Sequence, residues 1–443
     1  VYSVAGQGEA AIASAPRRPA LASDGTAAIV AAAITKILPG TQMPLRPPAM
    51  RISVLLLSLL FAAPVRAAMF TDSAGRRVML PDRIERIMPA GPASAVFVYA
   101  LVPNKLIGWT EPLSRAQRGF LPAKFARLPD IGQIGGANPT ATAADVARLH
   151  PDLIIGYGVP SPPTVALADR IQQQTGIPYI LVDDSLQQMP DMLRQIGAVV
   201  GAGDHGLAVS NYAYHAVENL RGQLLISSPD NRPRVYYGRG SDGLETALPG
   251  SPAIADIDQA GVINVAAGLG RGGVTRVTPG QIYAWNPQII VAQDSSFYRS
   301  LLHDPQWRDL AAVRARRVYL APGYPFGWID DPAGVNRAIG LYWLSNLFYP
   351  DLYQEDLRTN AREFYQLYYG VQPTDRQLEA LIRPAEAKPG ETSRVANVPL
   401  FGAEPPPMPG TPSGASPTPP AGAPGRNYRP RGGQPPALSP NPP

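Results

Sequence analysis

Between Asp204 and Ile226 the apolar residues Val209, Ala213, Ala216, Val217, Leu220 and Leu224 fall at intervals of 4, 3, 1, 3 and 4. That spacing marks one face of a helix and excludes one face of a strand. Asp204 is the expected N-cap, and Pro229-Asp230-Asn231 is the expected stop. About 23 residues at 1.5 Å each predict a rod of roughly 34 Å, longer than most globular helices. Alternating strand and helix patterns flank it on both sides. The reading is a strut joining two α/β lobes; the alternative is a long helix packed inside one large domain.

Before the strut, a hairpin is expected at 70–80 around Ser73-Ala74-Gly75. Strands follow at Arg86–Pro89, Leu106–Trp109, Asp152–Ile155 and Tyr179–Val182, with helices at about 95–101, 142–149, around Ile171 and at 188–200. After the strut the same grammar returns, with strands at Arg234–Tyr237, Gln288–Val291 and Arg317–Leu320. Helices are expected at 254–259, 279–285, 336–348 and 357–369. ARLHPDLIIGYG (147–158) and YAWNPQIIVAQD (283–294) share a helix end, a polar residue, a proline, an apolar strand and a loop. A duplicated unit of that kind supports two lobes, and short continuous apolar runs read as buried parallel strands.

Composition changes the picture at the two ends. Proline numbers 51 in 443 residues, too many for one compact fold. Fifteen of them lie in 401–443, and 384–443 is read as a Pro-rich disordered tail that contributes nothing to folding stability. Residues 1–49 carry no pattern and are read as a disordered leader or an over-extended reading frame. Met50-Arg51, the apolar run 52–63 and Pro64-Val65-Arg66-Ala67 form a secretory signal peptide, with Met50 as the expected start and cleavage after Ala67. The run is too short to span a bilayer comfortably. The domain plan is thus 68–203 for the first lobe, 204–228 for the linker helix and 229–383 for the second lobe.

The net charge of +5 gives no dense basic stripe of the nucleic-acid-binding kind, and the absence of cysteine excludes disulfides, thiolate metal sites and a lipid anchor on cysteine. Four histidines disfavour a bare transition-metal site, and His150 and His215 read as structural. The 268–273 glycine run precedes no Lys-Ser/Thr pair, the chain has no HExxH or GxSxG, and Asp183-Asp184 and Asp330-Asp331 read as caps or turns. No enzyme and no cofactor is argued.

In open α/β sheets ligands bind beyond the carboxyl ends of strands. The loops expected there carry Gly91, Pro92, Ser94, Trp109 and Tyr157 on the first lobe. On the second they carry Arg239, Asp242, Arg271, Tyr298, Tyr324, Phe326 and Trp328. Arginines among glycines suit an anionic guest, and aromatic rings offer flat apolar walls. Arg239 and Arg271 are therefore expected to face an anionic ligand that rests on Tyr157, Tyr324 or Trp328.

DSAGRRVMLP (72–81) with Arg86-Ile87, HPDLII (150–155), GYPFGWIDD (323–331), NRAIGLYWLSNLFYP (336–350) and the 363–370 run resemble the iron-siderophore/cobalamin type of periplasmic substrate-binding protein. The resemblance covers about 70–383. It implies two Rossmann-like lobes with mainly parallel sheets joined by one long helix, a ligand cleft between them, small hinge motion, and delivery by a monomer to an inner-membrane ABC permease. A ferric siderophore is the first expectation; cobalamin, haem or an oxyanion such as molybdate or tungstate are alternatives of the same class. An envelope enzyme or glycan-binding module is the alternative of another class. Many members of that family dock through a glutamate on each lobe, and the matching positions here are Ala144 and Gly280, with Asp145 the nearest carboxylate.

Overall fold

The computed structural model describes residues 68–382, apart from 137 and 354. The leader, signal peptide and tail expected from the sequence lie outside those residues.

The chain enters through a hairpin, β1 (Ala68–Thr71) and β2 (Arg77–Leu80), closed by the turn at Gly75, whose φ of 77° suits glycine. Asp72 is buried because its carboxylate accepts the Ala74 and Arg76 amides and pairs with the Arg76 guanidinium. Next comes a parallel three-stranded sheet in the order β3 (Ile87–Pro89), β4 (Leu153–Tyr157), β5 (Tyr179–Val182). All three strands are buried along their whole length, as their continuous apolar runs require. The strand expected at Leu106–Trp109 does not form. Leu106 and Trp109 make only isolated bridges to Ile87 and Asp130, since this stretch carries a single residue to each neighbour before the chain turns away.

The long helix runs from Gly203 to Ile226, 24 residues. Asp204 lies inside its first turn, and the N-cap is Ala202 with no side-chain cap. Val209, Ala213, Ala216 and Leu220 are buried as the spacing predicts, and Tyr212 joins them against the rings of Tyr342, Phe364 and Tyr368. The preceding helix, Met189–Val199, crosses it so closely that a Cβ on Gly197 would come 2.7 Å from the Gly206 Cα. Glycine at both positions is what permits the crossing.

Beyond the helix a second all-parallel sheet is ordered β11 (Val318–Leu320), β10 (Ile289–Ala292), β6 (Arg234–Gly238), β8 (Ile263–Asn264). A small antiparallel pair, β7 (Glu245–Ala247) with β9 (Val274–Arg276), extends from the end of β6. The architecture is α/β with two mainly parallel sheets linked by one long helix.

The duplicated unit is visible atom by atom. Thr142 and Thr278 each cap a seven-residue helix with a capping box, to Asp145 and Gln281 respectively. Each helix ends on a left-handed residue, His150 (φ 47°) and Asn286 (φ 43°). A proline and a buried strand follow in both cases. Ala144 and Gly280 are exposed on these helices.

Candidate functional site

The first strand of the first sheet feeds directly into the helix Pro92–Leu101, whose N-cap is Gly91. Gly91 has no side chain to cap the helix, so the first-turn amides have no side-chain acceptor there. The helix start is pinned to the sheet from outside: the Tyr157 amide donates to the buried Ser94 hydroxyl at 2.9 Å, and the Gly158 amide donates to Val182. Around this corner lies a hollow of about 240 Å³ lined by Gly91, Pro92, Ala93 and Ser94, by Gln133, Gly135 and Gly136, by Gly156, Tyr157 and Gly158, and by Thr164. No Asp, Glu, Lys, Arg or His lines it. Amides, a hydroxyl and a helix start without charge of their own are the donor set that takes a small anion.

Four of the predicted residues, Gly91, Pro92, Ser94 and Tyr157, therefore meet at one place. Trp109 and Phe326 meet at another. Trp109 is buried, donates its indole N–H to Phe125 and packs at 5.4 Å on Phe326. Tyr324 is stacked nearly parallel on Phe120 at 5.7 Å, and Tyr99 stacks on Tyr369 at 5.5 Å. These rings close the two halves of the molecule on each other.

The remaining predicted residues have other partners. Trp328 is fully buried in the core, with its indole donating to the Tyr365 hydroxyl. Arg239 is held by Asp330 at 2.8 Å and by Glu245, both from its own half of the chain. Burial pushes the Asp330 carboxyl up and the Arg239 charge pulls it back, while burial acts against the Arg239 charge and its carboxylate neighbours more than restore it. Two of its three guanidinium nitrogens are thereby taken by carboxylates of its own half. Asp242 pairs with Arg276 at 2.6 Å and lies apart from the hollow. Arg271 is exposed in the 268–273 loop beside Gly250 and within the field of Asp258. Tyr298 lines a different hollow, with the edge strand β11 and Trp343.

Sequence reading passed over Gln133, Gly135, Gly136 and Thr164 in the hollow, and it missed Arg337. This arginine opens the otherwise uncharged helix Arg337–Phe348 and is 1% exposed. Its guanidinium donates to the Gly334 carbonyl at 3.1 Å and to the Asp184 carbonyl on the first lobe, and lies 3.8 Å from the carboxylates of Asp184 and Asp256. Burial drives the Asp256 carboxyl well above its usual range, with Arg337 opposing. It likewise pushes up the Tyr157 hydroxyl, which Arg337 again opposes. Burial and then the charge of Asp331 raise the Glu111 carboxyl. A lone arginine at the head of an otherwise uncharged helix was the available signal.

Residues 103–325 match a family described as periplasmic binding protein. Among curated proteins, the molybdate-binding protein MolA of Haemophilus influenzae is 25% identical over 346 residues, 72% of this chain and 95% of that protein. Among solved structures, an ABC transporter solute-binding protein of Sulfurospirillum deleyianum aligns with a TM-score of 0.63 and 27% identity, over 71% of this chain and 99% of that one. A periplasmic solute-binding protein of Veillonella parvula aligns with a TM-score of 0.58 and 23% identity, over 71% and 96%. The molybdate-bound structure of the Haemophilus protein gives 0.56 and 20%, over 69% and 99%.

Proposed function

The chain belongs to the periplasmic binding proteins, the solute-capturing components of ABC importers, and from that premise we propose that its solute is a small tetrahedral oxyanion of the molybdate and tungstate class. The observation that carries this reading is the uncapped helix start opening on a 240 Å³ hollow with no charged side chain in its lining. A helix N-terminus presents roughly half a positive charge through its unclaimed amides, enough to replace the water around a small anion. The similarity to a molybdate-binding relative over nearly its whole length points the same way.

A ferric siderophore, the first expectation from sequence, asks for more than this corner offers. Sites for drug-sized ligands run to about 300–1,000 Å³, above the size of the hollow. A polyanionic chelate also needs uncommitted cations at its site, whereas the lining of this hollow holds none and Arg239 and Arg337 are engaged with carboxylates. The protein works by capture and handover to an inner-membrane permease, with no chemistry on the solute. Docking there proceeds without a glutamate at Ala144 or Gly280.

Calorimetric titration of the purified protein with molybdate, tungstate, sulfate, a ferric catecholate and haemin tests the proposal. Saturable binding of molybdate and tungstate, with the ferric catecholate and haemin silent, is the expected result. Tight binding of a coloured chelate with no heat from either oxyanion would sink it.

A further inference from the structure

Every residue lining the hollow comes from the first lobe, yet two of the chain segments that frame it are held from the second. Tyr157 ends β4, and Asp184 lies two residues beyond the end of β5. Both meet Arg337: the Asp184 carbonyl accepts from its guanidinium, and the Tyr157 ring carries a hydroxyl within its field. Behind Arg337 stand Gly334 and Asp256 of its own lobe. The arginine thus has one set of contacts in each lobe and is closed off from water.

The polar atoms around it are incompletely matched. Both carboxylate oxygens of Asp256 are buried without a hydrogen-bond partner, and the buried Tyr157 hydroxyl faces Arg337. Groups in that condition are costly, and they hold the arginine in place because no other cation is near enough to serve them. No oxyanion is needed to explain the cluster, because its members are already within about one contact distance of each other.

We infer that Arg337 is a positioning residue for solute binding: reaching across the lobe boundary, it holds the ends of β4 and β5 in the geometry that shapes the hollow. The inference rests on the oxyanion reading for its affinity arm only. Seating the second lobe fixes the Asp184 carbonyl and the Tyr157 ring. The Ser94–Tyr157 and Gly158–Val182 hydrogen bonds then hold the helix start over the hollow. Affinity would in this way depend on a residue that Tyr157 separates from the solute.

Arg337→Met alone leaves Asp256 without its cation and is expected to unfold easily, so the informative variant is Arg337→Met/Asp256→Asn, which removes both charges together. Its thermal stability should stay near that of the unmodified chain. Dissociation of molybdate should accelerate by roughly 3- to 30-fold, the range for residues that act on a site without touching the ligand. Arg337→Lys/Asp256→Asn, which restores a single donor, should recover part of the loss. Hydrogen exchange without any ligand supplies the second arm: the Tyr157 and Gly158 amides should exchange faster in the Met/Asn variant while core amides of β10 do not change. If the Met/Asn variant keeps both the dissociation rate and the exchange pattern of the unmodified chain, Arg337 is a fold-stabilising residue only and the inference fails. If the unmodified chain binds no oxyanion, the functional reading fails while the exchange arm still decides the inference.

Discussion

The exits of β3 and β6, the first strands of the two sheets, are built from the same grammar and end in opposite chemistry. Beyond β3 the chain enters a helix at once, and Gly91 leaves its first-turn amides without a side-chain cap. Beyond β6 it enters a loop whose cation, Arg239, is taken up by Glu245 and Asp330, with the Tyr237 hydroxyl donating to the same Asp330 carboxylate. The helix starts that follow β4 and β10 are capped by side chains: Ser161 accepts from the Thr164 amide, and Asp294 from the Ser296 amide. One exit keeps donors unclaimed and the other cancels its charges internally. On the oxyanion reading proposed above, selectivity would come from the withheld cap on the first lobe and not from Arg239 on the second.

The largest effect should follow from closing the open exit. Gly91 has an extended backbone, with φ near −166°, and a Cβ there would meet only the Gln133 side-chain oxygen at 3.6 Å, an ordinary contact. Gly91→Asp can therefore be accommodated and gives the helix the carboxylate cap that Asp294 gives its counterpart. Two like charges about 4 Å apart near a protein surface repel by on the order of 4 kcal/mol, close to 1,000-fold in affinity. Stability should hold or rise by a few tenths of a kcal/mol. Molybdate titration beside a thermal melt reads both quantities, and an aspartate variant that binds as before would show that the anion sits elsewhere.

Next in size is the loss of Arg239. Its side chain is 18% exposed and that of Asp330 8%, so Arg239→Ala strands a largely buried carboxylate. The expected destabilisation is about 2–3 kcal/mol, somewhat below the cost of breaking a fully buried pair. Molybdate affinity should change by less than about 3-fold, because no solute contact is lost. The sequence alone argues for the reverse, a weakened site in a stable protein. Denaturant unfolding with parallel titration separates the two: a stable variant with weak binding would return Arg239 to the site.

That reversal marks what the sequence could and could not supply. Helix and strand positions, the strut and the duplicated unit follow from local periodicity and capping signals, which a single chain displays openly. Gly91, Ser94 and Tyr157 stood out because the ends of parallel strands are a general place for ligands, and all three line the hollow. Arg239 misled because its partner Asp330 lies 91 residues away and Glu245 on the next strand, so pairing was invisible in the loop itself. Trp328 misled likewise: its loop reads as exposed, yet the 365–369 turn covers it. Arg337 was hidden in the opposite sense: its place at the head of a helix with no other charge marks it locally, but nothing local shows that it reaches 153 residues back to Asp184. Long-range partners are what convert residue type into role.

The smallest effect tests the duplicated unit, where the two lobes should behave alike. Thr142→Ala and Thr278→Ala each remove the hydroxyl of a capping box, and each should cost about 1 kcal/mol at neutral pH. The two losses should add, because the caps share no partner. Acid should then separate them. The Thr142 hydroxyl and amide hold the Asp145 carboxyl below its usual range, whereas Gln281 does not titrate. A carboxyl with a lowered folded pKa contributes stability that is present above its unfolded pKa and is lost as pH falls through the folded one. Thr142→Ala should therefore cost less at pH 2 than at pH 7, while the cost of Thr278→Ala stays level. Guanidinium unfolding of both variants at the two pH values measures the difference. Parallel behaviour in acid would mean that the Asp145 carboxylate contributes nothing to the first cap and that the hydroxyl alone carries both.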